Sequence, residues 1–235
     1  MCTVSFIATP EKVIITSNRD EKTDRSAITP LPYRLNGKNM VFPKDPLAGG
    51  TWFATDEDSN VIVLLNGAED KHIHNPPYAK SRGLILLDIA SAKSPLIMWK
   101  DIDLQNIEPF TLILFQQKQL FQLRWNGFEK ETLPLDPTQN YIWSSATLYS
   151  ETIREQRSAW FADFIYKTAE IQPELVVDFH QNTQKDDNEN GLVIDRKGNL
   201  KTLSITQAII DQNKVTLRHH DLVNQIENIQ SFITI

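Results

Sequence analysis

Two short stretches carry residue types that could do chemistry. The chain opens MCTVSFIATPEKVIITSNRDE, and its single cysteine, Cys2, stands directly behind the initiator methionine. Methionine aminopeptidases accept a small second residue, and removal of Met1 would leave a thiol and an α-amine on one residue. An α-amine titrates at about 7.7–8.0, close enough to neutrality to take the thiol proton, and the thiolate can then attack a carbonyl. A small buried residue at the start of a strand is the other role open to a lone cysteine. The second stretch is Asn18-Arg19-Asp20-Glu21, at the end of the second apolar run. If the two runs pair as a hairpin, Asp20 returns to the neighbourhood of Cys2, where a carboxylate would orient the amine. Arg19 would then fix that carboxylate or meet a substrate anion through two parallel hydrogen bonds. A charged exit from strand to surface loop is the alternative.

Other chemistry-bearing residues form weaker patterns. His72-x-His74 and His219-His220 lack a third ligand at helpful spacing, so they read as surface strand or loop. Asp186 to Gly191 opens like a calcium loop, D-x-N-x-N-G, but its twelfth position is Lys197 where a glutamate is needed, and it reads as a solvated acidic loop. No glycine-rich phosphate loop, dinucleotide fingerprint or nucleophile elbow occurs, so neither cofactor nor metal is expected.

The elements that must position these residues are mostly strands. Residues 3–8 and 12–17 read as a hairpin around Thr9-Pro10-Glu11, followed by a proline-rich loop holding Pro30, Pro32, Pro43 and Pro46. Gly49 to Ala54 and Val61 to Leu65 read as strands, the second ending at Asn66-Gly67. Ser81 is placed to cap a helix running to Ile89, with Leu84 and Leu87 on its buried face and Arg82 exposed. Phe110–Gln116 with Gln119–Trp125 forms a second hairpin, and Tyr141-Ile142-Trp143 a short strand. A helical period runs from about Glu151 to Ala169, placing Ile153, Trp160, Phe161, Phe164 and Ile165 on one side. Leu192–Asp195 and Leu200–Ile205 suggest a third hairpin, and 214–220 a last strand. Successive hairpins with few helices predict an α+β fold on antiparallel sheet. With no repeat, linker or composition step, residues 1–235 read as one domain.

The net charge of −6, with no run of Lys and Arg, argues against a nucleic-acid or anionic-membrane partner. No window approaches the ~20 apolar residues of a membrane span. One cysteine cannot form an internal disulfide. These features predict a cytoplasmic protein whose partner is a small-molecule substrate or ligand.

MCTV, SNRDE, GGTWFAT, LLNGAED and SRGLIL occur in the order and approximate spacing of the NRDE family, which includes the transport and Golgi organisation proteins. The resemblance is strongest over residues 1–90. That family in turn resembles N-terminal nucleophile hydrolases of the choloylglycine hydrolase and penicillin acylase kind. The resemblance implies a four-layer αββα fold and cleavage of non-peptide amide bonds through an N-terminal cysteine. It further implies Cys2 as nucleophile, Asp20 as the orienting carboxylate, and Asn66 as a donor to the oxyanion. A side-chain amide aimed there contributes roughly 2.7–4 kcal/mol. Asn66 is also a common turn residue before glycine. Asn18, Trp52 and Ser145 are the candidate substrate contacts, although a packed strand aromatic is the plainer role for Trp52.

The sequence departs from the hydrolase pattern at three places. Ser17 occupies the slot of an arginine three positions before the aspartate. Ser144-Ser145 stands where a second oxyanion asparagine is expected, and Asn188-Glu189-Asn190-Gly191 where a basic segment is expected. The family resemblance equally accommodates a non-catalytic protein that handles acyl-CoA, a lipid or haem.

Overall fold

The computed structural model describes residues 3–197 and 200–234. In chain order its first elements are β1 (Thr3–Ala8), β2 (Lys12–Lys22), β3 (Ile28–Leu35), β4 (Lys38–Lys44), β5 (Phe53–Asp56) and β6 (Val61–Asn66). Helices α1 (Arg82–Ala90) and α2 (Pro95–Asp101) follow, then β7 (Phe110–Gln116), β8 (Gln119–Trp125), β9 (Lys130–Leu135) and β10 (Tyr141–Ser144). Helices α3 (Glu151–Lys167) and α4 (Pro173–Asn182) precede β11 (Asp195–Arg196), β12 (Leu200–Asp211), β13 (Lys214–Asp221) and β14 (Ile226–Ile233).

These strands build two antiparallel sheets of seven. One runs β10-β1-β2-β12-β13-β14 with β11 on β12, and the other runs β3 through β9 in chain order. The sheets bury their facing surfaces against each other; Val4, Phe6 and Ile15 of the first share a core with Ile113 and Phe115 of the second, while Phe110, Leu112 and Leu114 on the other face of β7 turn to the helices. The Phe6 and Phe115 rings lie 5.7 Å apart across that interface. Helices α1 and α2 cover the outer face of the second sheet. On the outer face of the first, Ile7, Ile14 and Leu192 pack with Phe161 of α3 and Val176 and Phe179 of α4. The result is a four-layer αββα sandwich.

Strand alternation explains why β1 and β2 serve two cores at once. Val4 and Phe6 point one way and Ile7 the other, and β2 repeats the pattern with Ile15 against Ile14. β1 flanks β2 as far as Asn18, and because β12 pairs along its whole length, β2 continues through Asn18-Arg19-Asp20-Glu21 to Lys22, well past the apolar run. The polar cluster is therefore inside a central strand, with Asn18, Arg19 and Asp20 buried.

Other elements correct the sequence reading. The proline-rich segment is the β3–β4 hairpin and not a loop. Proline is tolerated because β3 is the edge of its sheet and Pro43 falls where β4 has no pairing with β5. In α1 the buried face is Ile85, Leu86, Ile89 and Ala90, not Leu84 and Leu87. Ser81 does cap the helix, its hydroxyl accepting the Leu84 N–H. Helices α2 and α4 and strands β9 and β14 escape the sequence reading. The second hairpin holds at both ends, Phe110–Gln116 against Gln119–Trp125. No helix among the described residues is long and apolar enough to cross a membrane.

Candidate functional site

Alternation divides the Asn18–Glu21 cluster between the two faces of β2. Asn18 and Asp20 turn toward the helical layer; Arg19 and Glu21 turn toward the second sheet. A β-bulge in β12, between Thr202 and Ser204, lies opposite Arg19 and Asp20.

On the helical face Asn18 and Asp20 are held by named partners. Thr3, the first described residue, pairs across the hairpin with Asn18. The Asn18 amide donates to the carbonyls of His180 (3.0 Å) and Leu192 (2.6 Å), and its oxygen accepts from His180 Nδ1 at 2.5 Å. With Nδ1 protonated, His180 Nε2 accepts from the Ser5 hydroxyl at 2.7 Å. Burial, helped by the nearby charge of Arg157, lowers the His180 pKa to about 3, so the ring is neutral. Asp20 accepts from the Tyr149 hydroxyl (2.7 Å) on one oxygen and from the Thr202 hydroxyl (2.6 Å) on the other. Tyr149 in turn lies against the Arg157 guanidinium, 3.5 Å from its ring centre, with Arg196 at 5.1 Å.

The other face opens on a cavity of about 660 Å³ whose walls include Arg19, Glu21, Trp52, Asn66, Tyr78 and Arg82. Arg19 does not reach Asp20, because neighbours along a strand point to opposite faces. It donates instead to Asp45 (3.1 Å) and the Arg25 carbonyl (2.6 Å), and it stacks 4.6 Å from the Trp52 ring centre. Burial lowers the Arg19 pKa, against the pull of Glu21 and Asp45. For Asp45, burial works upward, but the Ala48 N–H and the charges of Arg25 and Arg19 hold its carboxyl below the usual range. Trp52 is buried and its indole N–H has no hydrogen-bond partner.

Arg82 is only 17% exposed and pairs with Glu108 at 3.1 Å, in place of the free arginine expected at the helix start. Glu108 also meets His72 at 3.1 Å. Among the described residues no group of three or more His, Cys, Asp or Glu is arranged to hold a metal ion. In the acidic loop, Asp187 accepts the Glu189 and Asn190 N–H groups and so closes a turn.

Asn66, at the end of β6, has a second cavity on its other side, about 150 Å³, walled also by Trp143, Ser144, Ser145 and Arg154. The Ser145 hydroxyl donates to the Asn66 carbonyl at 2.7 Å, which fixes the backbone there. Gly67 follows at φ +81°, where an added Cβ would lie 2.9 Å from Thr147, so the turn at Asn66 depends on glycine.

Of the residues singled out from sequence, Arg19, Trp52 and Asn66 meet in the larger cavity and Asn66 and Ser145 in the smaller. Asn18 and Asp20 lie behind them in the helical-side network, and Cys2 lies outside the described residues. Sequence reasoning missed Tyr149, Arg157, His180 and Thr202. The one available signal was the Pro173-Glu174 start of α4, which with Val176, Phe179 and His180 at helical spacing announces a buried histidine face.

A profile of the family described as Transport and Golgi organisation 2 matches residues 1–224. The chain belongs to that family. Among curated proteins none matches the sequence. Among solved structures, this family member is similar to a Caenorhabditis elegans N-acylethanolamine-hydrolyzing acid amidase ortholog. That likeness has a TM-score of 0.59 and 9% identity over 88% of this chain and 92% of that one. It is also similar to the C2A mutant of conjugated bile acid hydrolase from Clostridium perfringens, with TM-score 0.51 and 8% identity over 100% and 97%. At such identities the likeness is one of fold.

Proposed function

We propose that this family member is an N-terminal cysteine hydrolase that cleaves a non-peptide amide or a thioester by acyl transfer through Cys2. The observation that carries the reading is the hairpin register: Thr3 lies opposite Asn18, two residues from an Asp20 carboxylate held by two hydroxyl donors. The position of Asn66 between two cavities adds support, since a bond presented to its amide would have room on either side.

In this reading Met1 is removed and the Cys2 α-amine takes the thiol proton. The thiolate adds to the substrate carbonyl, and the oxyanion accepts from the Asn66 amide. Collapse of the tetrahedral intermediate expels the amine, which takes back the proton, and leaves a thioester on Cys2. Water, deprotonated by the same α-amine, then releases the acid and restores the thiol. Asp20 orients the α-amine, and Arg19 and Trp52 hold the substrate in the larger cavity. A second reading, binding without chemistry of an acyl-CoA, lipid or haem, is favoured by the size of the larger cavity and by its lining of Arg19, Trp52 and Arg82.

Intact mass spectrometry of untagged protein before and after a thiol-reactive acyl probe tests the proposal. Loss of Met1 together with one acyl adduct, absent in Cys2→Ala, is the expected result. Retained Met1 with an unreactive thiol would overturn it and leave the binding reading.

A further inference from the structure

Arg157 is fully buried, yet no carboxylate pairs with it among the described residues. Its guanidinium donates to Thr3 Oγ1 at 2.6 Å, to the Asn190 carbonyl from both Nε and Nη2, and to the Gly191 carbonyl at 2.5 Å. Burying a cation without an opposite charge is costly, and a helix facing the core could spare that cost with an apolar residue. What the charge does here is read from its neighbours. It grips the residue directly after Cys2, and its flat face covers the Tyr149 ring. The hydroxyl of that same ring reaches Asp20. One guanidinium thus ties the chain start, through Thr3, to the Asp20 carboxylate, through Tyr149. Residues from α3, β1 and β2 meet at this point only in the folded protein.

We infer that Arg157 and Tyr149 are positioning residues for the Cys2–Asp20 pair, fixing the first strand's start through Thr3 and holding the Asp20 carboxylate that orients the Cys2 α-amine. The inference rests on the proposed role of Cys2. Arg196 also lies over the Tyr149 ring, 5.1 Å from its centre, and, through the Leu148 carbonyl, steadies the segment that carries it. A hydrogen-bonded phenol keeps the carboxylate it meets in one orientation.

The test uses the full-length, untagged chain, in which Cys2 is the only cysteine, so that iodoacetamide labelling read by intact mass reports Cys2 alone. The pH profile of the labelling rate is measured for the wild type, Arg157→Gln, Arg157→Lys and Tyr149→Phe, with thermal unfolding of each to show that it is folded. The expected results are an upward move of the Arg157→Gln midpoint by about one pH unit and labelling about tenfold slower at pH 7, because the Asp20 carboxylate no longer orients the Cys2 α-amine that takes the thiol proton, with partial recovery in Arg157→Lys. Tyr149→Phe should move the midpoint in the same direction by less. Folded Tyr149→Phe and Arg157→Gln proteins with the wild-type profile would overturn the inference while leaving the nucleophile reading intact. If Arg157→Gln does not fold, Arg157→Lys and Tyr149→Phe decide: a wild-type profile in both overturns the inference, and a raised midpoint in Tyr149→Phe supports it. A wild type that keeps Met1 and labels like an unfolded thiol would instead overturn the proposed function, and this inference with it.

Discussion

The two faces of β2 are built from adjacent residues and behave as opposites. Toward the helices, Asn18 and Asp20 enter a buried hydrogen-bonded network with Ser5, His180, Tyr149 and Thr202. Toward the second sheet, Arg19 and Glu21 form part of the wall of a cavity large enough for a small molecule. The closed side has the properties of a frame, since each donor of its network meets an acceptor at a set distance and an error anywhere leaves a buried group unpaired. The open side has the properties of a recognition surface, with paired arginines, an aromatic face and one indole N–H left without an acceptor. A single strand thus holds a rigid support and an adaptable wall within two residues of each other.

The contrast breaks most readily at Asn18. Replacing it with Ala strips the His180 and Leu192 carbonyls of their donor and His180 Nδ1 of its acceptor, and we expect a loss of roughly 3 kcal/mol in urea unfolding. A loss below ~1 kcal/mol would mean that the closed side does not depend on this amide.

The pH dependence sharpens the same point. His180 and His219 have pKa values lowered to about 3 and about 4, both chiefly by burial. In the unfolded chain each titrates near about 6.5. Between these values the unfolded state binds more protons, so the stabilisation is complete above pH ~6.5 and is lost as pH falls toward 4 and then 3. Each histidine adds up to about 1.4 kcal/mol per pH unit to the slope over that window. His180→Gln should therefore show a shallower decline of unfolding free energy between pH 6 and 4 than the wild type. An unchanged slope would show that His180 is not the neutral, buried group the network requires.

On the open side smaller stability effects are expected. Trp52→Phe keeps an aromatic face beside Arg19 and removes an N–H that makes no hydrogen bond, so it should cost about 1 kcal/mol or less in the same unfolding assay. A loss as large as that of Asn18→Ala would erase the distinction between the faces. Ser145→Ala, which removes one hydrogen bond to the Asn66 carbonyl, is expected to cost about 1 kcal/mol and to lower the rate of acyl-probe labelling at Cys2 without changing its pH midpoint.

Much of the architecture was legible because apolar alternation is a local signal. The first hairpin, the Phe110–Trp125 hairpin and α3 all emerge from period-2 or helical spacing. What failed was less local. The prolines of β3 and β4 look like loop until the sheet is known to end at β3. The α1 face was misjudged because two leucines at suitable spacing compete with Ile85, Leu86 and Ile89. Strands β9 and β14 are mostly exposed, and the apolar residues of β14 do not alternate, so no clear hydrophobic pattern marks them.

For the site, the division is sharper. The residues Asn18, Arg19, Asp20, Trp52 and Asn66 could be picked out from sequence, and strand periodicity alone implies that Asn18 and Asp20 share a face that Arg19 does not. Which face looks onto a cavity, and which onto helices, depends on the stacking of the two sheets. Tyr149 is 129 positions from Asp20, and Arg157 is 154 positions from Thr3. In a helix that reads Glu-Thr-Ile-Arg-Glu-Gln-Arg-Ser, an arginine is by default a solvated residue, and nothing in its neighbours marks one as buried. Its burial follows from where α3 lies on the first sheet, because only the assembled layers bring two backbone carbonyls, a hydroxyl and an aromatic face close enough to replace its water.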